Sequence, residues 1–289
     1  MPPIRHPLSD RRWHFQHGPI DLVIGADGDA AAVQTAHQAA WLRFQTVLAE
    51  LVTELPLLRE PVRGGLCPLR GAVARRMWSA CQPLSQVFIT PMAAVAGAVA
   101  EEIIAPYRRP GIQRAWINNG GDIALHLAPG QALSVGVFAD LARFNALKAV
   151  ALDGHFEVRA AMPARGIATS GWRGRSFSLG IADSVTVLAQ TAAAADAAAT
   201  VIANAVNIDD ARVRRRPANS LQDDTDLVDI EVTVDVPPLP AALVRQALAS
   251  GACLARQLRS RGLIEQALLL CQGQAMNTEL PQAIGAVLA

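Results

Sequence analysis

Lysine is almost absent. Lys148 is the only one among 26 basic residues, so arginine carries the cationic chemistry, and mechanisms that need a lysine Schiff base have little to work with. Paired cysteines are also lacking: Cys67, Cys81, Cys253 and Cys271 stand far apart with no C-x-x-C pair and no neighbouring histidine. That spacing argues against zinc and for reduced thiols. No charge of one sign dominates, since the formal charge is +1 and the pI about 7.8, and no field is available to draw nucleic acid or an anionic membrane. The most hydrophobic stretches, 90–104 and 191–206, are broken by acids or asparagine and are too short to cross a bilayer. Residues 1–13 contain Pro, Arg, His and Asp but no apolar run, so no secretory signal or lipobox-like segment is expected and the cytoplasm is the expected location. What is abundant is apolar substance: 289 residues, 51% of them hydrophobic, with mean hydropathy +0.23, enough for one large core or two joined lobes.

Residues 12–17 and 20–25 alternate bulky and polar side chains about His17-Gly18-Pro19, which predicts a hairpin. Over 29–54, Ala31, Val33, Ala36, Ala40, Leu42, Val47 and Leu51 recur at helical spacing until Pro56 ends the pattern. A short helix over 71–81 carries Arg75 and Arg76. Thr90-Pro91 reads as the start of an Ala-rich helix running to 104, because threonine can cap free N–H groups and proline at the first position loses no bond. Strand-like runs fill 115–150 and 155–187, divided at Asn119-Gly120-Gly121, Pro129-Gly130 and Asp153-Gly154. A second Ala-rich helix, 190–204, follows a strand at 182–188 much as the first follows a strand at 86–89, which points to an internal duplication. Arginines and acids make 208–226 an exposed loop; 227–236 alternates as a strand, and 241–270 reads as one or two helices. The expected class is α+β, with mixed or antiparallel sheets flanked by helices. The expected organisation is a single domain over 1–289, in two pseudo-equivalent lobes (1–110 with 227–289, and 111–226) around a shared cleft.

Four segments could carry chemistry. Asn118, Asn119, Gly120, Gly121 and Asp122 interrupt two apolar strands; adjacent glycines let backbone N–H groups approach a phosphate or a ring edge, although a plain hairpin turn uses the same residues. Asp196 and Thr200, four apart in an apolar helix, place a carboxylate and a hydroxyl on one face, as a hard cation such as Mg²⁺ requires; a solvated aspartate and a back-bonded threonine are the alternative. The stretch 165–178 holds Thr169, Ser170, Arg175 and Ser176 beside Arg165 and Arg173, groups suited to phosphate or carboxylate recognition or to a polar hairpin. Thr90 and Met92 open a helix whose N-terminus favours an anion and whose small residues equally suit core packing.

In this order, Asn-Gly-Gly-Asp, Gly-Ile-Ala-Thr-Ser-Gly, Ser-Val-Thr-Val-Leu-Ala (184–189) and Ala-Asp-x-x-x-Thr resemble the ApbE-type FAD:protein FMN transferases. The strings at 74–77, 90–97 and 118–125 are similar to a compact stand-alone branch of that superfamily. The resemblance implies a T-fold-related architecture and a Mg²⁺ site at Asp196 and Thr200. It also implies a flavin nucleotide pocket lined by the Gly-Gly-Asp and Thr-Ser-Gly segments, FAD or FMN as substrate or ligand, and an acceptor flavoprotein as partner. Apart from the resemblance, a homodimer is a further expected partnership. One departure matters: the family's His-containing insert before the Val-Thr-Val strand is missing, and no histidine follows His155. Asp183 or Asp122 is left to act as base. Two other readings stay open: a non-catalytic flavin-binding or cofactor-delivery protein, and an enzyme for a small carboxylated ligand held by Arg75, Arg76 and the arginines of 165–175.

Overall fold

The computed structural model describes residues 2–8, 10–137 and 154–278; the predicted turn at Asp153-Gly154 and strand-like residues 138–150 fall wholly or partly outside them. The chain runs through β1 (Ile4–Pro7), β2 (Trp13–His17), β3 (Ile20–Gly28), α1 (Ala30–Thr53), α2 (Leu55–Leu58), α3 (Ala72–Cys81) and α4 (Val95–Ile104). It continues through β4 (Ile112–Asn119), β5 (Asp122–Leu127), β6 (Ala132–Val137), β7 (Gly154–Arg159), β8 (Gly166–Ser170), β9 (Ser184–Ala189) and α5 (Ala192–Ala205). The final elements are β10 (Arg214–Pro217), β11 (Glu231–Asp235), α6 (Ala241–Ser260), β12 (Gln266–Cys271) and β13 (Gln274–Asn277). This is an α+β fold of antiparallel strand pairs with helices packed on them.

Two compact units divide the chain: 1–133 with 158–168 and 188–197, and 134–157 with 169–187 and 198–289. The grouping differs from the expected lobes, because 227–278 clusters with 169–187 rather than with the N-terminal residues. The chain passes from one unit to the other within β6, β7, β8, β9 and α5.

In the first unit the strands pair in the order β1-β2-β3-β4-β5-β8. The N-terminal hairpin forms as predicted, His17 opposite Ile20, with Gly18 at φ 56°. Its alternation buries Phe15, Leu22 and Ile24 completely. Phe15 meets the rings of Trp41 and Phe44 on α1 at 5.1 and 5.5 Å between centroids, offset contacts that add to roughly 2–3 kcal/mol of transfer free energy per buried aromatic side chain. Asp29 starts α1 by accepting the Ala32 N–H at 2.9 Å, a side-chain cap on an otherwise unbonded donor. Past the end of that helix, the Glu54 carboxylate accepts the N–H groups of Arg70 and Gly71, both at 2.7 Å, immediately before α3.

The helix predicted over 90–104 is broken. Residues Pro91–Ala94 form one 3₁₀ turn, α4 starts only at Val95, and Thr90 makes no side-chain cap. The strand expected at 86–89 is irregular chain. In the second unit, the predicted loop 208–226 contains β10, whose Arg214 pairs with Asp235 of β11; cross-strand partners far apart in sequence turned a charge-rich segment into an edge strand. The helix expected over 241–270 stops at Ser260, Gly262 takes φ 72°, and the chain returns as β12 and β13. A short apolar run such as 266–271 fits helix or strand equally well until a partner strand arrives. All four cysteines are free thiols. Among the described residues, no helix is long and apolar enough to cross a membrane.

Candidate functional site

In the first unit the predicted turn between β4 and β5 has Asn119 opposite Asp122, with Gly120 and Gly121 at φ 67° and 116°, a backbone that side chains disfavour. Asn118 accepts the Gly121 N–H at 2.8 Å, and the Asn119 amide donates to the Ala96 carbonyl at 3.1 Å. The turn is thereby tied to the first residues of α4. A Cβ placed on Gly121 would meet nothing within 4 Å, so the turn borders open space.

The other partner at this helix end is Asp196. Its Oδ2 accepts the Gly97 N–H at 2.9 Å, and the Ala96 N–H also bonds to the carboxylate. Asp196 thus satisfies N–H groups in the first turn of α4 from a different helix. Glu101, on α4, accepts the Ala193 N–H at 3.3 Å, and the Thr191 hydroxyl accepts that of Ala194 at 3.2 Å. Helices α4 and α5 therefore cap one another's first turns. Glycine permits the approach: a Cβ on Gly97 would lie 2.2 Å from the Ala192 carbonyl oxygen, and one on Gly166 2.2 Å from the backbone of Thr191.

The electrostatics of this corner are unusual. Solvent reaches part of Asp196, yet burial, followed by the nearby charge of Asp122, holds its carboxyl well above the usual range against the opposing backbone bonds. Asp122 is itself buried. Two neighbouring carboxylates in a poorly solvated place favour a shared proton or a cation. The Cys81 thiol, bonded to the Thr90 carbonyl at 3.3 Å, is pushed up by burial and then by Asp196. Thr90 is buried and Met92 partly so, beside this corner rather than at a regular helix start.

Thr200 lies one turn beyond Asp196 on α5. Among the described residues, no three His, Cys, Asp or Glu side chains cluster as a ready-made metal site. Asp122 and Asp196 are the neighbouring oxygen donors of the first unit.

In the second unit, the exposed Thr169 hydroxyl meets Thr186 at 2.9 Å, while Ser170 is part-buried and Arg175 and Ser176 are exposed. Asp183 pairs with Arg173 at 3.1 Å and accepts the Gln272 N–H at 2.5 Å, supporting a turn in which Gln272 takes φ 45°. The arginines considered as a carboxylate clamp are largely engaged. Arg76 bonds Glu101 and Glu102 at 3.1 and 2.7 Å, and Arg165 donates to the carbonyls of Ala160, Met162 and Ala164. The role of Glu101 carried no sequence signal, since an acid in an exposed helical turn looks like a solvated one until its partner helix is placed.

Antiparallel sheets with helices packed on them define an α+β protein, with a Gly-Gly-Asp turn and an aspartate of one Ala-rich helix at the start of another. The chain belongs to the family described as AbpE bacteria, whose model matches residues 5–277. It is 31% identical over 208 residues to a UPF0280 protein of Methanosarcina acetivorans, covering 71% of this chain and 76% of that one. Against a UPF0280 protein of Methanopyrus kandleri it is 32% identical over 231 residues, 74% and 83% of the two chains. Among solved structures, the apo form of Pseudomonas stutzeri flavinyl transferase ApbE is similar with 13% identity and a TM-score of 0.47, over 96% of this chain and 94% of that one. Similarity at that level bears on neither activity nor ligand.

Proposed function

We propose that the protein is a Mg²⁺-dependent enzyme acting on a flavin nucleotide or similar phosphorylated ligand, by FMN transfer or FAD hydrolysis at the phosphodiester. The observation that supports this reading is the pair Asp122 and Asp196, two neighbouring carboxylates: burial first, and then the charge of Asp122, raise Asp196, and a hard cation would relieve both. Asp196 and Thr200 are the protein ligands in this proposal. A bound divalent cation would supply positive charge to phosphate oxygens as charge develops on them. Asn118, Asn119, Gly120 and Gly121, with Thr90 and Met92 at the adjoining helix end, would line the ligand from the first unit, the turn being held in shape by the Asn118 and Asn119 side chains. Thr169, Ser170, Arg175 and Ser176, within the second unit, are proposed by themselves as an anion-recognising group. Asp122 or Asp183 is the proposed group to take a proton; Asp183 pairs with Arg173 and accepts the Gln272 N–H.

One sequence observation favours a second reading, a flavin-binding or cofactor-delivery protein without turnover: no histidine follows His155, so the base expected of the transferases has no counterpart at the matching position. A single experiment separates the two. Purified protein is incubated with FAD and Mg²⁺, with and without EDTA; binding is followed by calorimetry and products by chromatography. Enzymatic action releases AMP in a Mg²⁺-dependent manner, with FMN either free or attached to an acceptor. Tight FAD binding without products supports the binding protein, and absence of both binding and products rules out both readings.

A further inference from the structure

A second concave feature lies in the first unit, away from the Gly-Gly-Asp turn and from Asp196. It is a cavity of about 950 Å³ between the β1–β2 connection, the end of β3 and the first half of α1, a volume in the range of small-ligand pockets. None of the motif residues described above lines it.

Its chemistry is one-sided. Arg5, Arg11 and Arg12 all line it. Arg5 is held in place with its guanidinium 5.4 Å from the ring centre of Trp13 and 4.9 Å from that of Trp41, and it donates to Gln38 at 3.2 Å. Aromatic faces steady a cation without neutralising it. Among the described residues Arg5 has no carboxylate partner. The acid that lines the cavity, Asp27, is bound to Arg114 at 2.6 Å, and Asp10 stands 3.8 Å from Arg12.

Backbone and walls add to this. Asp10 and Arg11 are consecutive non-glycine residues at φ 59°, a left-handed pair that L side chains disfavour and that recurs where a turn presents side chains to a ligand. Leu8, Val33 and the face of Trp13 give the cavity apolar walls. The buried His37 also lines it, with Nδ1 bonded to the Tyr107 hydroxyl at 2.7 Å. Burial, then the charge of Arg5, holds that imidazole below its ordinary value, so it is a neutral polar group at the cavity wall.

We propose that this cavity is a binding site for an amphipathic organic anion, with a carboxylate or phosphate head on Arg5, Arg11 and Arg12 and an apolar body against Trp13, Leu8 and Val33. The site is independent of the flavin nucleotide reading. Arg5 and Arg11 are exposed and Arg12 half-buried, so three guanidinium groups border one apolar hollow, with Arg5 set over two indole rings.

The test uses 1-naphthylacetate, 1-naphthyl phosphate and the neutral 2-(1-naphthyl)ethanol, titrated into the full-length protein and followed by tryptophan fluorescence and thermal shift. At least one of the two anions is expected to bind, which distinguishes carboxylate from phosphate recognition, and the alcohol should bind at least about ten-fold more weakly, as the loss of charge-assisted hydrogen bonds implies. Arg5→Gln and Arg11→Asn should each weaken the anion by about ten-fold. Asparagine tolerates the left-handed turn, so the second variant remains informative if the first fails to fold. Asp196→Asn should leave anion affinity unchanged. The proposal is overturned if neither anion binds, if the alcohol binds as well as the anions, if folded arginine variants bind like the parent, or if Asp196→Asn abolishes binding.

Discussion

The Asp196 carboxylate accepts N–H groups from the start of α4 while standing close to Asp122, so one side chain serves a structural bond and bears an electrostatic conflict. A raised folded pKa means that the folded protein holds this proton more tightly than the unfolded chain does. The corresponding stability is present in full below the ordinary aspartate range and is lost as pH rises through the raised folded value. Asp196→Asn keeps an acceptor for the Gly97 N–H and removes the repulsion. Without metal, the variant is expected to match or exceed the parent in melting temperature at pH 8 and to lose that advantage toward pH 4. With Mg²⁺ at about a hundred times its dissociation constant, the parent should gain about 2.7 kcal/mol, more at pH 8 than at pH 5, and the variant nothing. Equal stabilisation of both proteins by Mg²⁺ would remove Asp196 from the metal site. An aspartate in an apolar helix marked this position in the sequence; Glu101, which completes the mutual capping, was invisible because nothing near it in the chain announces its partner.

Helices α4 and α5 depend on each other at the level of their ends. Neither first turn is capped solely from its own local sequence: α4 takes Asp196 from α5, and α5 takes Glu101 from α4 as well as its own Thr191. That exchange requires the backbones to touch, which they do at Gly97, 2.2 Å from the Ala192 carbonyl in terms of an added Cβ. Gly97→Ala is expected to cost about 1–3 kcal/mol, as other overpacked contacts do, read as a lower urea midpoint with an unchanged slope. Gly64→Ala, where an added Cβ meets nothing within 4 Å, should be neutral or stabilise by about 0.4–1 kcal/mol by restricting the unfolded chain. If the two substitutions have the same effect, close helix approach is not what Gly97 provides. A salt-bridged row, Glu50, Arg43, Glu102, Arg76 and Glu101, links α1 and α3 to α4 and leads to that same capping acid.

Across the whole chain, four reduced cysteines offer a probe of both units. Cys253 is exposed, whereas Cys81 and Cys271 are buried. Burial, with the charge of Asp183 behind it, pushes the Cys271 thiol up to about 12, and burial does the same in direction for Cys81. Ellman's reagent at pH 8 should modify Cys253 rapidly in the native protein, leave Cys81 and Cys271 untouched over the same period, and count four thiols after unfolding. Reducing agent should leave the melting temperature unchanged. Fast reaction of Cys81, located by peptide mass mapping, would contradict the packing between α3 and Thr90.

The local elements followed from the sequence wherever their causes are local. The N-terminal hairpin, α1 with its Asp29 cap, the Gly120-Gly121 turn and the Ala-rich α5 all carry signals within a few residues, and the ordered motifs were enough to indicate the family. Partners from far along the chain decided the rest. β10 exists because Asp235 and its strand pair with Arg214, and β12 exists because β13 returns beside it. The start of α4 moved to Val95, with Asp196 satisfying its N–H groups from 99 residues away. Lone-residue chemistry was readable from type and spacing, but proximity was not: that Asp196 feels Asp122, that Asp183 pairs with Arg173, and that Arg5 lies over two indole rings are consequences of tertiary packing. The energies involved depend on burial and distance, and a sequence states neither.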